Sequence, residues 1–284
     1  MLAAAIQMSS GEDRTENERR ALALVAEAAG RGARLVGLPE MWEHIGPASQ
    51  KSFAGAVEGE QLRALRDLVA KLRIHCLAGS IAERAQDGRI YNTSALIGPD
   101  GAILSVYRKL HLFDVDIPDG AVYRESASVA PGDAVPEKLR IPLATEPAPG
   151  IERRREAPAI SIGQTVCYDL RFPELYRALL ADVLCVPSAF TAYTGRAHWE
   201  VLLRARAVEN QAYVFAPAQV GRIGPARENR VAWGHACIVD PWGDILADAG
   251  GSQEGMAVAE ISPERIAQVR RDLPALRHRR SDLL

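Results

Sequence analysis

Residues 159–174 read AISIGQTVCYDLRFPE. The first eight carry isoleucine, threonine and valine at the length of a buried strand, and Pro173-Glu174 opens a helix with proline at its first position, where a missing N–H costs nothing. Cys167 stands between the two elements. A side chain on such a strand-to-helix turn is exposed while neighbouring backbone N–H groups point the same way, which is the geometry a nucleophile and its oxyanion hole need. Buried packing is the default role of any free thiol, and by position alone the two readings are even.

The same strand-then-helix unit recurs on both sides of this stretch. Upstream, Leu2 to Met8 reads as a buried strand, and Ala21, Leu24, Val25 and Ala28 fall on one helix face that ends at Gly30-Arg31-Gly32. Residues 33–38 form a second short strand stopping at Pro39-Glu40. Leu62, Leu65, Val69 and Leu72 mark another helix, followed by a strand over 75–81. From 91 the plan changes to an antiparallel hairpin, 91–97 and 103–107, turning at Pro99-Asp100-Gly101, so the sheet is mixed. Downstream, 182–187 is a strand; Trp199, Leu202, Leu203 and Ala207 mark a helix; 212–220 is a strand; and 235–246 is a hairpin. Ser262-Pro263 caps a last helix bearing Ile266, Val269 and Leu273. No linker divides two cores, and the expectation is an α/β chain of one domain, 1–284, with helical layers covering its sheets. Residues 133–158, with five prolines and the charge run Glu152-Arg153-Arg154-Arg155-Glu156, read as a solvated surface-loop excursion.

Composition narrows the function. The 284 residues hold 34 Lys+Arg against 36 Asp+Glu, a net charge of −2, so the field that binds a phosphate backbone is missing and nucleic acid is not an expected partner. The N-terminal apolar run is too short for a signal-peptide core, no later run reaches membrane-spanning length, and the expected location is cytoplasmic. Cys76, Cys167, Cys185 and Cys237 form no C-x-x-C pair, and the six histidines never fall at i, i+4; neither a disulfide framework nor a metal site is expected. Cys76, Cys185 and Cys237 lie inside apolar runs and read as core.

Three further residues end or follow strands. Glu40 sits in Gly37-Leu38-Pro39-Glu40-Met41-Trp42, where partial desolvation would raise a carboxyl toward the range of a general base. Lys109 ends the strand in Tyr107-Arg108-Lys109-Leu110-His111, and Glu125 lies in Tyr123-Arg124-Glu125-Ser126. Taken singly, each is an ordinary loop or surface residue. Ligands in α/β sheets bind outside the carboxyl ends of the strands, so convergence of these residues with Cys167 is the hypothesis.

In these blocks the sequence resembles the carbon-nitrogen hydrolase (nitrilase) superfamily, whose signature is a Glu, a Lys and a Cys delivered in that order from three strand ends. The resemblance runs from Ala3-Ala4-Ala5-Ile6-Gln7-Met8 to Arg279-Arg280-Ser281-Asp282-Leu283, and Gly195-Arg196-Ala197-His198-Trp199-Glu200 with Trp233-Gly234-His235 points to the Nit branch, which includes deaminated glutathione amidases and omega-amidases. Residues 133–158 are longer than that branch leads one to expect.

The resemblance implies a four-layer α-β-β-α sandwich that dimerises by packing helices, or forms a higher homo-oligomer, and that needs no cofactor. It implies a small-molecule amide and water as reactants: the terminal carboxamide of a linear, carboxylate-bearing amide, of the deaminated glutathione or alpha-ketoglutaramate type, is cleaved through a cysteine thioester. Glu40, Lys109, Cys167 and Glu125 are the implied catalytic residues, with the Tyr168 backbone N–H in the oxyanion hole. Arg171 is a candidate for the substrate carboxylate, equally readable as a brace for the elbow, and Thr194 is a second pocket candidate. A nitrile hydrolase of the same superfamily and a catalytically silent binding or scaffold protein are the alternatives.

Overall fold

A computed structural model describes residues 1–45, 53–116, 122–143, 158–224, 230–280 and 283. Its centre is β1 (Leu2–Met8), which pairs in parallel with β2 (Leu35–Gly37), itself parallel to β3 (His75–Leu77). Successive side chains of a strand point to opposite faces. Ala4, Ile6 and Met8 accordingly join one core cluster with Ala21 and Val25 of α1 (Arg14–Gly30) and Leu65 and Val69 of α2 (Arg63–Leu72). Ala3 and Ala5 join the other, between the sheets. Asp13 starts α1 by accepting the Glu16 backbone N–H at 3.1 Å, a cap worth about 1 kcal/mol.

A second, six-stranded sheet runs in the order β10 (Leu139–Pro142), β11 (Ala159–Gln164), β12 (Val183–Cys185), β13 (Tyr213–Ala216), β16 (Cys237–Val239), β17 (Ile245–Asp248). Helices α3 (Pro173–Leu179) and α4 (Ala192–Asn210) supply Leu175, Trp199 and Leu203 to its core. The result is an α-β-β-α sandwich. The two sheets approach closely at Gly37, where any Cβ would stand 2.3 Å from the Phe215 ring, so a glycine is required there.

Several elements depart from their sequence reading. The strand expected over 212–220 is two strands: β13 lies in the six-stranded sheet, and after Pro217 the chain crosses to the other as β14 (Ala218–Arg222), parallel to the end of β1. Proline has no N–H to continue a ladder, so the switch falls where pairing is interrupted. The run 75–81 likewise breaks at Gly79, which has φ +53°, before β4 (Ile81–Arg84). The hairpin of β5 (Ile90–Ile97) and β6 (Ile103–Arg108) forms as read.

Residues 133–158 are not wholly an excursion. Leu139–Pro142 pairs antiparallel with β11 as an edge strand, and Ile141 is buried; Pro142 is tolerated because an edge strand leaves one side of its ladder unused. Residues 144–157 lie outside the described residues. The periodicity also missed β18 (Gly255–Glu260), which pairs with β1 along its length, and the short hairpin of β7 (Asp114–Asp116) and β8 (Val122–Arg124).

Candidate active site

Three strands end at one place. Glu40 follows β2, Lys109 follows β6, and Cys167 follows β11. Each turn is held by specific contacts. At Glu40, a Cβ on Gly79 would lie 2.0 Å from the Pro39 carbonyl, so only glycine admits the turn. The Met41 N–H donates to Ser80 Oγ at 3.0 Å, Trp42 Nε1 to the Ala78 carbonyl at 2.9 Å, and Gln219 Nε2 to the Glu40 carbonyl at 3.0 Å. Cys167 adopts φ +47°, a left-handed conformation that costs a non-glycine residue about 1–3 kcal/mol and that places its side chain at the tip of the turn. Its N–H donates to the Pro187 carbonyl at 3.0 Å.

Buried Asp169 holds this elbow. One of its oxygens accepts the Val166 N–H at 2.9 Å and the Tyr107 hydroxyl at 2.7 Å; the other accepts the His111 N–H at 3.1 Å and contacts His111 Nδ1 at 2.7 Å. The His111 ring stacks on Phe172 with centroids 3.7 Å apart. One carboxyl group therefore ties the turn that carries Cys167 to the turn that carries Lys109.

The side chains of these turns meet. Lys109 Nζ lies 3.1 Å from Glu40 Oε1 and 3.0 and 2.8 Å from the two oxygens of Glu125. Asn92 Nδ2 donates to the same Glu40 oxygen at 2.8 Å and to Glu125 at 3.3 Å. The Ala189 N–H donates to the other Glu40 oxygen at 2.7 Å, and the Phe113 N–H to Glu125 at 2.6 Å. Glu40, Lys109 and Asn92 are each at most 5% exposed. An ammonium so buried is retained because it is paired.

These contacts set the resting protonation states. Burial opposes ionisation of Glu40, but the Lys109 charge and hydrogen bonds from Cys167, Lys109 and Asn92 outweigh it and hold the carboxyl below its ordinary value. Burial also opposes the Lys109 charge, yet Glu125 and Glu40 raise the ammonium well above the usual lysine range. Burial, then the Glu40 carboxylate, pushes the Cys167 thiol well above an ordinary thiol, against the pull of Lys109. The resting site is thus a carboxylate beside a neutral thiol, poised for proton transfer during attack rather than before it. The sequence expectation of a raised Glu40 is corrected: desolvation acts as reasoned, but a buried cation reverses the sign.

The site opens into a cavity of about 530 Å³. Met41, Ile45, Phe113, Tyr123, Tyr168 and Phe190 give it apolar and aromatic walls, and Thr194 lines it, its hydroxyl 2.8 Å from that of Thr191. Arg171 is not among the lining residues. Its guanidinium carbon lies 5.7 Å from the Tyr168 ring centroid and 5.2 Å from that of Phe190, and Nη1 is 3.3 Å from His198 Nδ1. Of its two sequence readings the geometry fits the brace; stacking on aromatic faces satisfies an arginine as well as a carboxylate does. Arg124 and Arg230 line the cavity instead.

Sequence reading missed Asn92, Asp169 and Glu43. Asn92 is a polar residue inside β5, and its unalternating neighbours Thr93 and Ser94 are the one signal that this face is not plain core. Asp169 stands within the quoted elbow. Glu43, three residues past Glu40, is buried, accepts Gln61 Nε2 at 2.8 Å and pairs with Arg14 at 3.3 Å. Burial pushes its pKa up to about 7 in spite of Arg14, helped by the Glu18 charge.

Residues 2–271 match the family described as carbon-nitrogen hydrolase. The chain is 45% identical to the deaminated glutathione amidase of Synechocystis sp. (strain PCC 6803 / GT-S), covering 98% of this chain and 97% of that protein. It is 36% identical to the omega-amidase NIT2 of Homo sapiens over 99% of this chain and 95% of that protein. Among solved structures, Nit3 of Saccharomyces cerevisiae, a member of branch 10 of the nitrilase superfamily, superposes with a TM-score of 0.82 at 29% identity, covering 99% of this chain and 96% of that one.

Proposed function

The chain belongs to the carbon-nitrogen hydrolase family, and from that premise we propose that Cys167 is the nucleophile by which it cleaves the terminal carboxamide of a small linear, carboxylate-bearing amide. The protein is a hydrolase acting on amides. The substrate class proposed is that of the deaminated glutathione and omega-amidase relatives. The observation that carries this reading is the bridge of Lys109 Nζ between Glu40 and Glu125, in one cavity with the left-handed Cys167.

In the proposed mechanism, Glu40 takes the thiol proton as sulfur attacks the amide carbon. Lys109 and the Tyr168 N–H receive the oxyanion, and a donor of this kind is worth about 3–4 kcal/mol of the barrier. The tetrahedral adduct collapses, the C–N bond breaks, and Glu40 returns its proton to the departing ammonia, leaving a thioester. Glu40 then takes a proton from water, which adds to the thioester; collapse frees the acid and returns the proton to sulfur. Glu125 orients Lys109 and holds the substrate amide, and Thr194 contacts the substrate body.

One domain spanning 1–284, a cytoplasmic location and a homodimer complete the proposal. All four cysteines are free thiols, as a reducing compartment would keep them. Among the described residues no helix is long and apolar enough to cross a membrane. The exposed face of α4, where Val201 and Val208 are 60% and 48% exposed, supports helix-to-helix pairing of two copies. The test of function is ammonia release from matched amides and nitriles, beginning with alpha-ketoglutaramate and deaminated glutathione. A carboxylate-bearing amide should give the largest kcat/KM; a nitrile giving the largest would overturn the reading, as would tight protein binding with no turnover.

A further inference from the structure

Two donors serve the same two oxygens at the reacting end. Lys109 Nζ contacts Glu40 Oε1 at 3.1 Å and Glu125 Oε1 at 3.0 Å, and Asn92 Nδ2 donates to Glu40 Oε1 at 2.8 Å and to Glu125 Oε1 at 3.3 Å. The remaining contact of the ammonium is Glu125 Oε2 at 2.8 Å. An ammonium has three N–H groups, and the two glutamates take all three. The mechanism above asks Lys109 to receive an oxyanion, so one of these bonds must be given up as sulfur adds to the amide carbon. Whichever is released, the oxygen it leaves keeps a second donor: Asn92 at either Oε1, and the Phe113 N–H, 2.6 Å away, at Glu125 Oε2.

β5 fixes Asn92 in this position. Its backbone carbonyl accepts the Lys109 backbone N–H at 2.9 Å, so the amide and the ammonium rise from hydrogen-bonded positions on neighbouring strands. Only the NH2 end can face two carboxylates, since their oxygens are acceptors. That orientation leaves Oδ1, in a residue 1% exposed, with no hydrogen-bond partner. A buried acceptor without a partner opposes folding, and an apolar residue of similar shape in its place is often neutral or stabilising. Packing alone would be served as well by a leucine.

We propose that Asn92 is a positioning residue of the reaction: it holds Glu40 and Glu125 by the oxygens that Lys109 also holds, while Lys109 turns one N–H to the oxyanion. A neutral donor suits that task. A second cation would hold the Glu40 carboxylate too tightly for a base, whereas the amide fixes the geometry and leaves one positive charge between the two carboxylates. The inference rests on the amidase reading above and deepens it, because it names what keeps the base in place when its partner cation moves.

The test uses the whole chain and an amide that the wild type hydrolyses, and compares wild type, Asn92→Leu and Asn92→Asp. Asn92→Leu keeps the volume and removes the donor. It should lower kcat about 10- to 100-fold, as the loss of one or two hydrogen bonds to charged groups would, with KM within about threefold, because the loss falls in the transition state. The groups that face Glu40 are Lys109 at the end of β6, Glu125 after β8 and Cys167 at the elbow. With one donor fewer among them Glu40 is harder to ionise, so the acid limb of kcat/KM should move to higher pH. Asn92→Asp keeps the shape but donates only while its carboxyl is protonated, and its kcat should fall as pH rises where that of the wild type is flat. Wild-type kcat in folded Asn92→Leu overturns the assignment. So does a loss carried by KM, or an acid limb that stays in place, either of which a merely structural role would give. Should Asn92→Leu fail to fold, Asn92→Asp decides, and a kcat that runs parallel to the wild type across pH overturns the assignment. Wild type that releases no ammonia from any amide removes the amidase reading and this inference together. Ammonia release with kcat unchanged in the variants removes only Asn92.

Discussion

Lys109 and Arg230 line the same cavity and are held in opposite ways. Lys109 is 2% exposed, anchored at a strand end, and gripped by two glutamates, each of which also accepts a backbone N–H, from Ala189 at Glu40 and from Phe113 at Glu125. Arg230 is half-buried at the entry to an edge strand and rests on an aromatic ring. The reacting end is a buried polar network in which the removal of one member strands the others in a dry interior. The rim is built from stacking, which tolerates exchange. The difference teaches that the buried polar cluster is set by the sheets, whereas the opposite walls of the cavity are set by short hairpins and the first turn of α4.

Variants can break or sharpen this contrast. Cys167→Ala has the largest expected effect, a loss of kcat by at least about 10⁴-fold, since without the nucleophile only binding and the oxyanion donors remain. Retention of wild-type turnover on a confirmed substrate would defeat the mechanism. Asp169→Asn comes next. The amide cannot accept all the donors that the carboxylate serves, so the Cys167 and Lys109 turns lose their common tether. We expect kcat to fall about 10- to 100-fold with KM nearly unchanged, as a small misplacement of the nucleophile would produce. Near-UV circular dichroism on the same sample separates this from unfolding, and a normal kcat would show that the tether is ornamental.

Glu43→Gln probes the rigid end through pH. A carboxyl raised in the folded state from 4.5 to about 7 holds its proton more tightly folded than unfolded. Its stabilising protonation is therefore fully present below 4.5 and is lost as pH rises through about 7. Wild type should lose at most about 3 kcal/mol between pH 5 and 8 from this group, and the glutamine variant should show a flatter Tm against pH. Parallel Tm curves for the two proteins would contradict the assignment. The smallest effect belongs to Arg171→Ala, which removes a brace over Tyr168 and Phe190 worth about 1 kcal/mol. The ratio of anionic to neutral turnover should not move; a fall in that ratio would return Arg171 to the substrate site.

Legibility of the fold followed the length of each element and how many faces it buries. Helices α1 and α2 were readable because one face repeats every three to four residues, and the Ile90–Ile97 and Ile103–Arg108 hairpin because a turn sequence separates its strands. The crossing at Pro217 was not, since β13 and β14 read as one apolar run when both are buried on two faces. β18 escaped because alanine, methionine and glycine carry little strand propensity, and only pairing with β1 makes Gly255–Glu260 a strand. In the site, Glu40, Lys109, Glu125 and Cys167 were legible through their blocks and their strand ends. Asn92 and Glu43 were not, because nothing local distinguishes a buried amide or carboxyl with partners from one on the surface.

By itself the sequence determined the order of the helices and of many of the strands, the residue types at the strand ends, and the turn on which Cys167 stands, because each depends on chemistry within a few positions of the chain. The tertiary structure decided the signs of the charges' effects on one another. Glu40 is depressed rather than raised because Lys109, distant in sequence, is buried against it at 3.1 Å. Arg171, four residues from the nucleophile, stays off the cavity wall while Arg230, far along the chain, stands on it. Electrostatic influence falls with distance through the folded interior and takes no account of separation along the chain.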